Sequence, residues 1–105
     1  MTDYAKIERA AVLGCTLLKP ESNYDDRTAF LAAMAQLEDR ATDSTQVLIA
    51  MKLLQGSPCQ ITTEDSERSE RAMTLALHIG GSWVEKGKGT DASPRVIVLL
   101  PPARE

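Results

Sequence analysis

Val47-Leu48-Ile49-Ala50-Met51-Lys52-Leu53-Leu54 holds one charge in eight residues, and its reading decides the fold. At 3.6 residues per turn its seven uncharged members leave almost no polar stripe, and a helix that is apolar nearly all round is one enclosed by neighbours. Val47 to Ile49 would also suit a strand. Ala50, Met51, Lys52, Leu53 and Leu54, however, are good helix formers without branching at Cβ, and they tip the segment to helix. Asp43 or Ser44 supplies a side-chain acceptor for the first free N–H groups, Gly56 suits the left-handed residue that ends a helix, and Ser57-Pro58 blocks continuation. The sequence thus predicts a buried central helix over 44–55, with Lys52 on its narrow solvent edge.

Upstream, Thr2 or Asp3 caps a first helix in which Tyr4, Ile7, Ala11, Gly14 and Leu18 recur at steps of three and four. Ala11 and Gly14 are small enough to let a second helix come close, either from the same core or from another copy of the chain, and Lys19-Pro20 ends the element. After a polar joint, Asp25, Asp26, Phe30, Ala33, Met34, Leu37 and Ala41 describe a second helix. Its acids complement the positive end of the helix dipole, and Asn23 is the expected cap. Glu38 to Arg40 form its solvated end, and Thr42 and Asp43 make the turn into the central helix.

Downstream, the polar run from Thr62 to Arg71 reads as the exposed first half of a fourth helix. Thr62 and Asp65 resemble a capping box, and Glu64 with Arg68 and Glu67 with Arg71 pair acid-first at a spacing of four. Ala72, Met73, Leu75, Ala76, Leu77 and Ile79 then join the core, and Gly80-Gly81 ends the helix. His78, the only histidine, falls in the last turn, where a structural role at the negative end of the dipole accounts for it. The remainder predicts a hairpin: Ser82 to Lys86, a loop over 87–93, then Arg95 to Leu100 between prolines. Side chains alternate along a strand, so Val96, Val98 and Leu100 share one face and Ile97 and Leu99 the other. The helices cover one face, here taken to be that of Val96, which leaves Ile97 and Leu99 exposed beside an unpaired strand edge.

The fold class that follows is mostly α with a C-terminal β-hairpin, an α+β arrangement of about four helices around 44–55. A chain of 105 residues encloses one core, so residues 1–105 form a single domain. With 43% apolar residues but only four aromatics, that core is aliphatic. Cys15 and Cys59 match no metal-ligand spacing and read as free thiols. No run approaches the ~20 apolar residues of a membrane span, and Met-Thr-Asp-Tyr-Ala-Lys lacks the order of a signal peptide, so the expectation is a cytoplasmic protein with no membrane contact.

Chemistry is not announced. Gly81 to Gly87 fails as a phosphate loop because its spacing is one residue too long and Gly89 stands where a hydroxyl belongs, and no zincin, CxxC, EF-hand, nucleophile-elbow or dinucleotide pattern occurs. The expectation is a non-enzymatic regulator without cofactor or metal, acting by protein–protein interaction and blocking a transcription factor or another complex. The candidate surface is Trp83 with Val96, Ile97, Val98, Leu99 and Leu100. The candidate dimer helix carries Tyr4, Ile7, Ala11, Gly14 and Leu18, and a homodimer is expected. The alternative is a winged-helix-like DNA-binding regulator, from the order helix, helix, helix, hairpin, with Lys86, Lys88 and Arg95 on the wing. A net charge of −3 and the acidic start of the would-be recognition helix oppose nucleic acid.

Overall fold

Aspartates start the first two helices. In the computed structural model, which describes residues 3–37, 44–63, 66–86 and 95–102, the Asp3 carboxylate accepts the Lys6 N–H at 3.0 Å and opens α1 (Tyr4–Leu17). Asp25 accepts the Thr28 N–H at 2.7 Å and opens α2 (Asp26–Met34). Asp25, not the expected Asn23, is therefore the cap. Its bond from the Thr28 N–H holds the carboxyl below the usual carboxylate range. The turn expected at Thr42 and Asp43, the solvated end at 38–40, the acids Glu64 and Asp65, and the loop 87–94 with Lys88 lie outside the described residues.

Glycines end the other two helices where the sequence predicts. α3 (Ser44–Leu54) closes on Gly56 at φ 87°, with the Ser57 N–H donating to the Lys52 carbonyl and the Gly56 N–H to that of Leu53, both at 3.0 Å. α4 (Ser66–His78) closes in the same way on Gly80 at φ 89°, through Gly81 to Ala76 at 2.8 Å and Gly80 to Leu77 at 3.1 Å. A left-handed glycine lets two N–H groups fold back onto the last carbonyls, satisfying groups that a helix end otherwise leaves unpaired.

The interval before α4 departs from expectation. Cys59–Thr63 is a strand, β1, so Thr62 belongs to a sheet and caps no helix. β2 (Ser82–Glu85) and β3 (Arg95–Leu100) follow, and the three form an antiparallel sheet in the order β1-β3-β2. Cys59 pairs with Leu99 and Ile61 with Ile97 on one side of β3, while Trp83 pairs with Leu99 and Val84 with Val98 on the other. The predicted hairpin is present, yet β3 is central and paired on both sides, so its expected open edge does not exist. The intended order helix, helix, helix, hairpin also changes, because a strand separates α3 from α4.

One face of the sheet lies on α4, whose Ala72, Leu75, Ala76 and Ile79 are buried beneath it. α3 packs between α4 and the pair α1 and α2. The strand parity is the reverse of that expected: Ile97 and Leu99 are fully buried, and Val96, Val98 and Leu100 are turned outward and half-buried. Among the described residues the core is aliphatic, with seven alanines among eighteen buried apolar residues, and none of the four aromatic side chains is buried. Small residues set the helix spacing. A Cβ on Gly14 would stand 2.8 Å from the Met51 thioether and 3.3 Å from the Ala33 Cβ, so α1 approaches both α2 and α3 at this point.

Two leucines are placed differently from the sequence reading. Leu48 is 44% exposed, in line with the exposed Thr45 and Lys52, so α3 has a wider solvent edge than Lys52 alone. Leu77, expected in the core, is 58% exposed on α4. Leu53→Ala, which empties a fully buried site, is expected to cost about 2–5 kcal/mol in urea unfolding, whereas Leu48→Ala stays within about 1 kcal/mol of the parent. Gly81→Ala is expected to lower stability by roughly 1–3 kcal/mol, because its Cβ would collide with the rigid Leu100 carbonyl. A Gly81→Ala midpoint equal to that of the parent would refute the close approach.

Candidate functional site

The register of the sheet sorts the residues expected to form a binding surface into two sets. Residues paired across antiparallel strands point to the same face. Val84, Val98 and Gln60 form one outward row, with Leu100 beside Ser82 above it and Val96 beside Thr62 below. The outward face is thus an apolar stripe of Val96, Val98 and Leu100, widened by Val84 at 49% exposure and bordered by Gln60, Thr62 and Ser82. Pro101 and Pro102, just beyond β3, are half-buried. Trp83, Ile97 and Leu99, also expected on the surface, belong to the opposite face. Ile97 and Leu99 are core residues, and Trp83 is left 37% exposed at the β2 edge.

The proposed dimer helix is engaged within its own chain. Ile7 and Ala11 are fully buried, Gly14 is buried against Met51 and Ala33, and only Tyr4 and Leu18 at the ends of the stripe are partly exposed. Tyr4 stacks obliquely near His78, with ring centroids 6.2 Å apart, and the His78 Nε2 lies 3.9 Å from Glu8 Oε1. His78 thus lies between the end of α4 and the start of α1. Of the residues proposed for a DNA-binding wing, Lys86 is exposed just beyond β2 and its N–H donates to the Val96 carbonyl at 2.8 Å; Arg95 opens β3.

A concave feature escaped the sequence reading. A groove of about 410 Å³ runs between α3, β1 and the first half of α4. Gln46, Ile49 and Lys52 come to it from α3, Cys59 and Ile61 from β1, and Arg68 from α4. Gln46 is 4% exposed, and its side-chain oxygen has no hydrogen-bond donor among the described residues. Burial pushes the Cys59 thiol above the usual thiol range, a rise partly offset by the charge of Lys52. The only local signal for this region was the branched run Ile61-Thr62-Thr63, which favours a strand over the helix start suggested by the charges that follow.

Among the described residues no group of three His, Cys, Asp or Glu side chains is placed to hold a metal ion, and no helix is long and apolar enough to cross a membrane. The chain matches no protein-family model, no curated protein and no solved structure. With Cys15 replaced by Ser, the alkylation rate of Cys59 by iodoacetamide is expected to rise with pH about a midpoint higher than that of the same chain in denaturant. Coincident midpoints would mean that the thiol is not desolvated.

Proposed function

We propose that this protein is a small non-enzymatic regulatory module that works by covering a surface of another protein, and that it also pairs with a second copy of itself. The observation that carries the reading is the outward face of the sheet, where an apolar stripe along β3 is bordered by polar side chains on β1 and β2. An apolar centre within a polar rim is the usual anatomy of a protein interface. On a face otherwise open to water, exposed Val84 and half-buried Val98 and Leu100 forgo part of the burial that apolar side chains favour.

Size limits how tightly this face binds alone. Three strands of five, four and six residues, about 4.8 Å apart, cover about 240 Å², against about 800 Å² per partner in a stable complex. Sheet-to-sheet self-association is consequently transient and concentration-dependent, and a durable complex with a target extends beyond the sheet over the Pro101-Pro102 side. Such weak self-pairing fits a surface that is kept covered until a regulated partner displaces the second copy.

Sedimentation velocity across a wide concentration range tests the reading. The parent chain is expected to shift reversibly toward dimer at high concentration, and Val84→Thr combined with Val98→Thr is expected to abolish the shift while leaving the unfolding midpoint within a few degrees. Both sites are outward, so the pair removes apolar surface and keeps branching at Cβ. A parent chain that stays monomeric throughout, or a double variant that dimerises equally well, rules out self-pairing through this face.

A further inference from the structure

We propose that the groove between α3, β1 and α4 binds a small, uncharged, mainly apolar molecule carrying a hydroxyl group, and that this hydroxyl pairs with the side-chain amide of Gln46. The groove borders the outward apolar stripe without including it, so the site stands whether or not the chain pairs with itself.

Volume sets the size of the ligand. At about 410 Å³ the groove falls within the range of small-molecule sites. A closed apolar cavity of about 150 Å³ takes up benzene, so a groove of this size, open on one side, has room for roughly a double ring or an eight-carbon chain.

The lining sets the ligand's polarity. Ile49 and Ala72 are buried lining residues and Ile61 a half-buried one, while Leu48 is 44% exposed. Thr45, Leu48 and Lys52, one row of α3 at steps of three and four, all line the groove. The exposed leucine of α3 therefore forms part of a concave wall, where an apolar occupant gains burial that the fold by itself leaves undone. Burial pushes the Cys59 thiol above its ordinary range, and the same surroundings disfavour another charge brought beside it. The occupant is neutral on that account.

Gln46 identifies the polar group. It lines the groove, is 4% exposed, and its Oε1 has no donor among the described residues. A buried oxygen left without a donor carries a desolvation cost that a bound donor removes. That oxygen is closed to water as the side chain stands, but the last torsion of a glutamine is broad, so the amide can turn it toward a donor entering the groove. A hydroxyl suits the amide in either setting, because it donates to the oxygen and accepts from the nitrogen, whereas an ether only accepts. A lone water would pair with Gln46 and leave Leu48 uncovered. A hydrocarbon would cover Leu48 and leave Gln46 unpaired. A neutral molecule with both parts answers both.

The test uses the ¹⁵N-labelled full chain and hydroxyl probes of different shape, 2-naphthol, 4-propylphenol and 1-octanol, each beside its methyl ether, with 2-naphthoate as a charged counterpart. At least one hydroxyl probe is expected to shift the amides of 45–49 and 59–62 saturably and to move the Gln46 side-chain amide resonances. Its affinity is expected to exceed that of its ether by about fivefold or more. Gln46→Leu keeps the bulk of the side chain and removes the unpaired oxygen, so the fold is retained and the two affinities are expected to become equal. Leu48→Asp, at an exposed site, is expected to weaken the probe and its ether alike, by about tenfold. No saturable shift with any hydroxyl probe overturns the proposal, as does equal affinity of every probe and its ether in the parent chain. A hydroxyl preference that survives undiminished in Gln46→Leu overturns it as well. Tighter binding of 2-naphthoate than of 2-naphthol would show an anion site and reject the neutral ligand. Shifts confined to Val84 and Val98 would assign binding to the outward face and reject the groove.

Discussion

The position of β3 between two strands is the constraint on which the rest of the structure depends. Hydrogen-bonded on both sides, it cannot shift by one residue without exchanging its two faces, because side chains alternate with a period of two. The register that occurs buries Ile97 and Leu99 against α4 and turns Val96, Val98 and Leu100 outward. Each alternative buries comparable apolar area from β3 itself, so the choice is made by its neighbours. Ile61 and Cys59 must face inward with Ile97 and Leu99, while Gln60 and Thr62 remain in water with Val98 and Val96. The amphipathic alternation of β1 settles a strand that is itself apolar on both faces.

That dependence explains what the sequence made legible and what it did not. Several helix ends were readable because they rest on local chemistry, with Asp3, Gly56, Gly80 and the Lys19-Pro20 stop acting within one turn of chain, whereas the second helix, read as reaching Ala41, ends at Met34. The hairpin was readable as well. β1 was not, since its five residues acquire strand character by pairing with β3, about forty positions away, and the charged run after Thr63 has a helical spacing that begins a few residues too early. Leu48 and Leu77 were assigned to the core by residue type, yet each lies on the more exposed side of its helix. Of the candidate surface, the β3 stripe could be found by inspection, with only its parity left undecided. The groove could not, because Gln46, Ile61 and Arg68 come together only when α3, β1 and α4 are assembled.

The helical part holds together differently. Alanines and Gly14 bring the backbones of α1, α2 and α3 close, so cohesion comes from many short contacts and few large side chains. Cys15 fits this pattern, with its Sγ 3.5 Å from the Met51 carbonyl on the facing helix. A core of this kind is sensitive to added volume where the neighbour is backbone and more forgiving where it is the end of a methionine.

β1 and β2 are parallel to one another but never touch; α4 joins them, and the strand that separates them comes later in the chain. Until β3 arrives, neither has a partner, so the sheet forms in one event that closes two loops of very different length. Contacts within the helices are local, whereas Cys59 must find Leu99, and such distant closure is slow compared with helix formation. Helix content should therefore be gained ahead of the sheet during refolding. In that interval the inner face of α4 and the apolar residues of β3 stay open to water, which makes the last strand the point at which the folding chain is most exposed to aggregation.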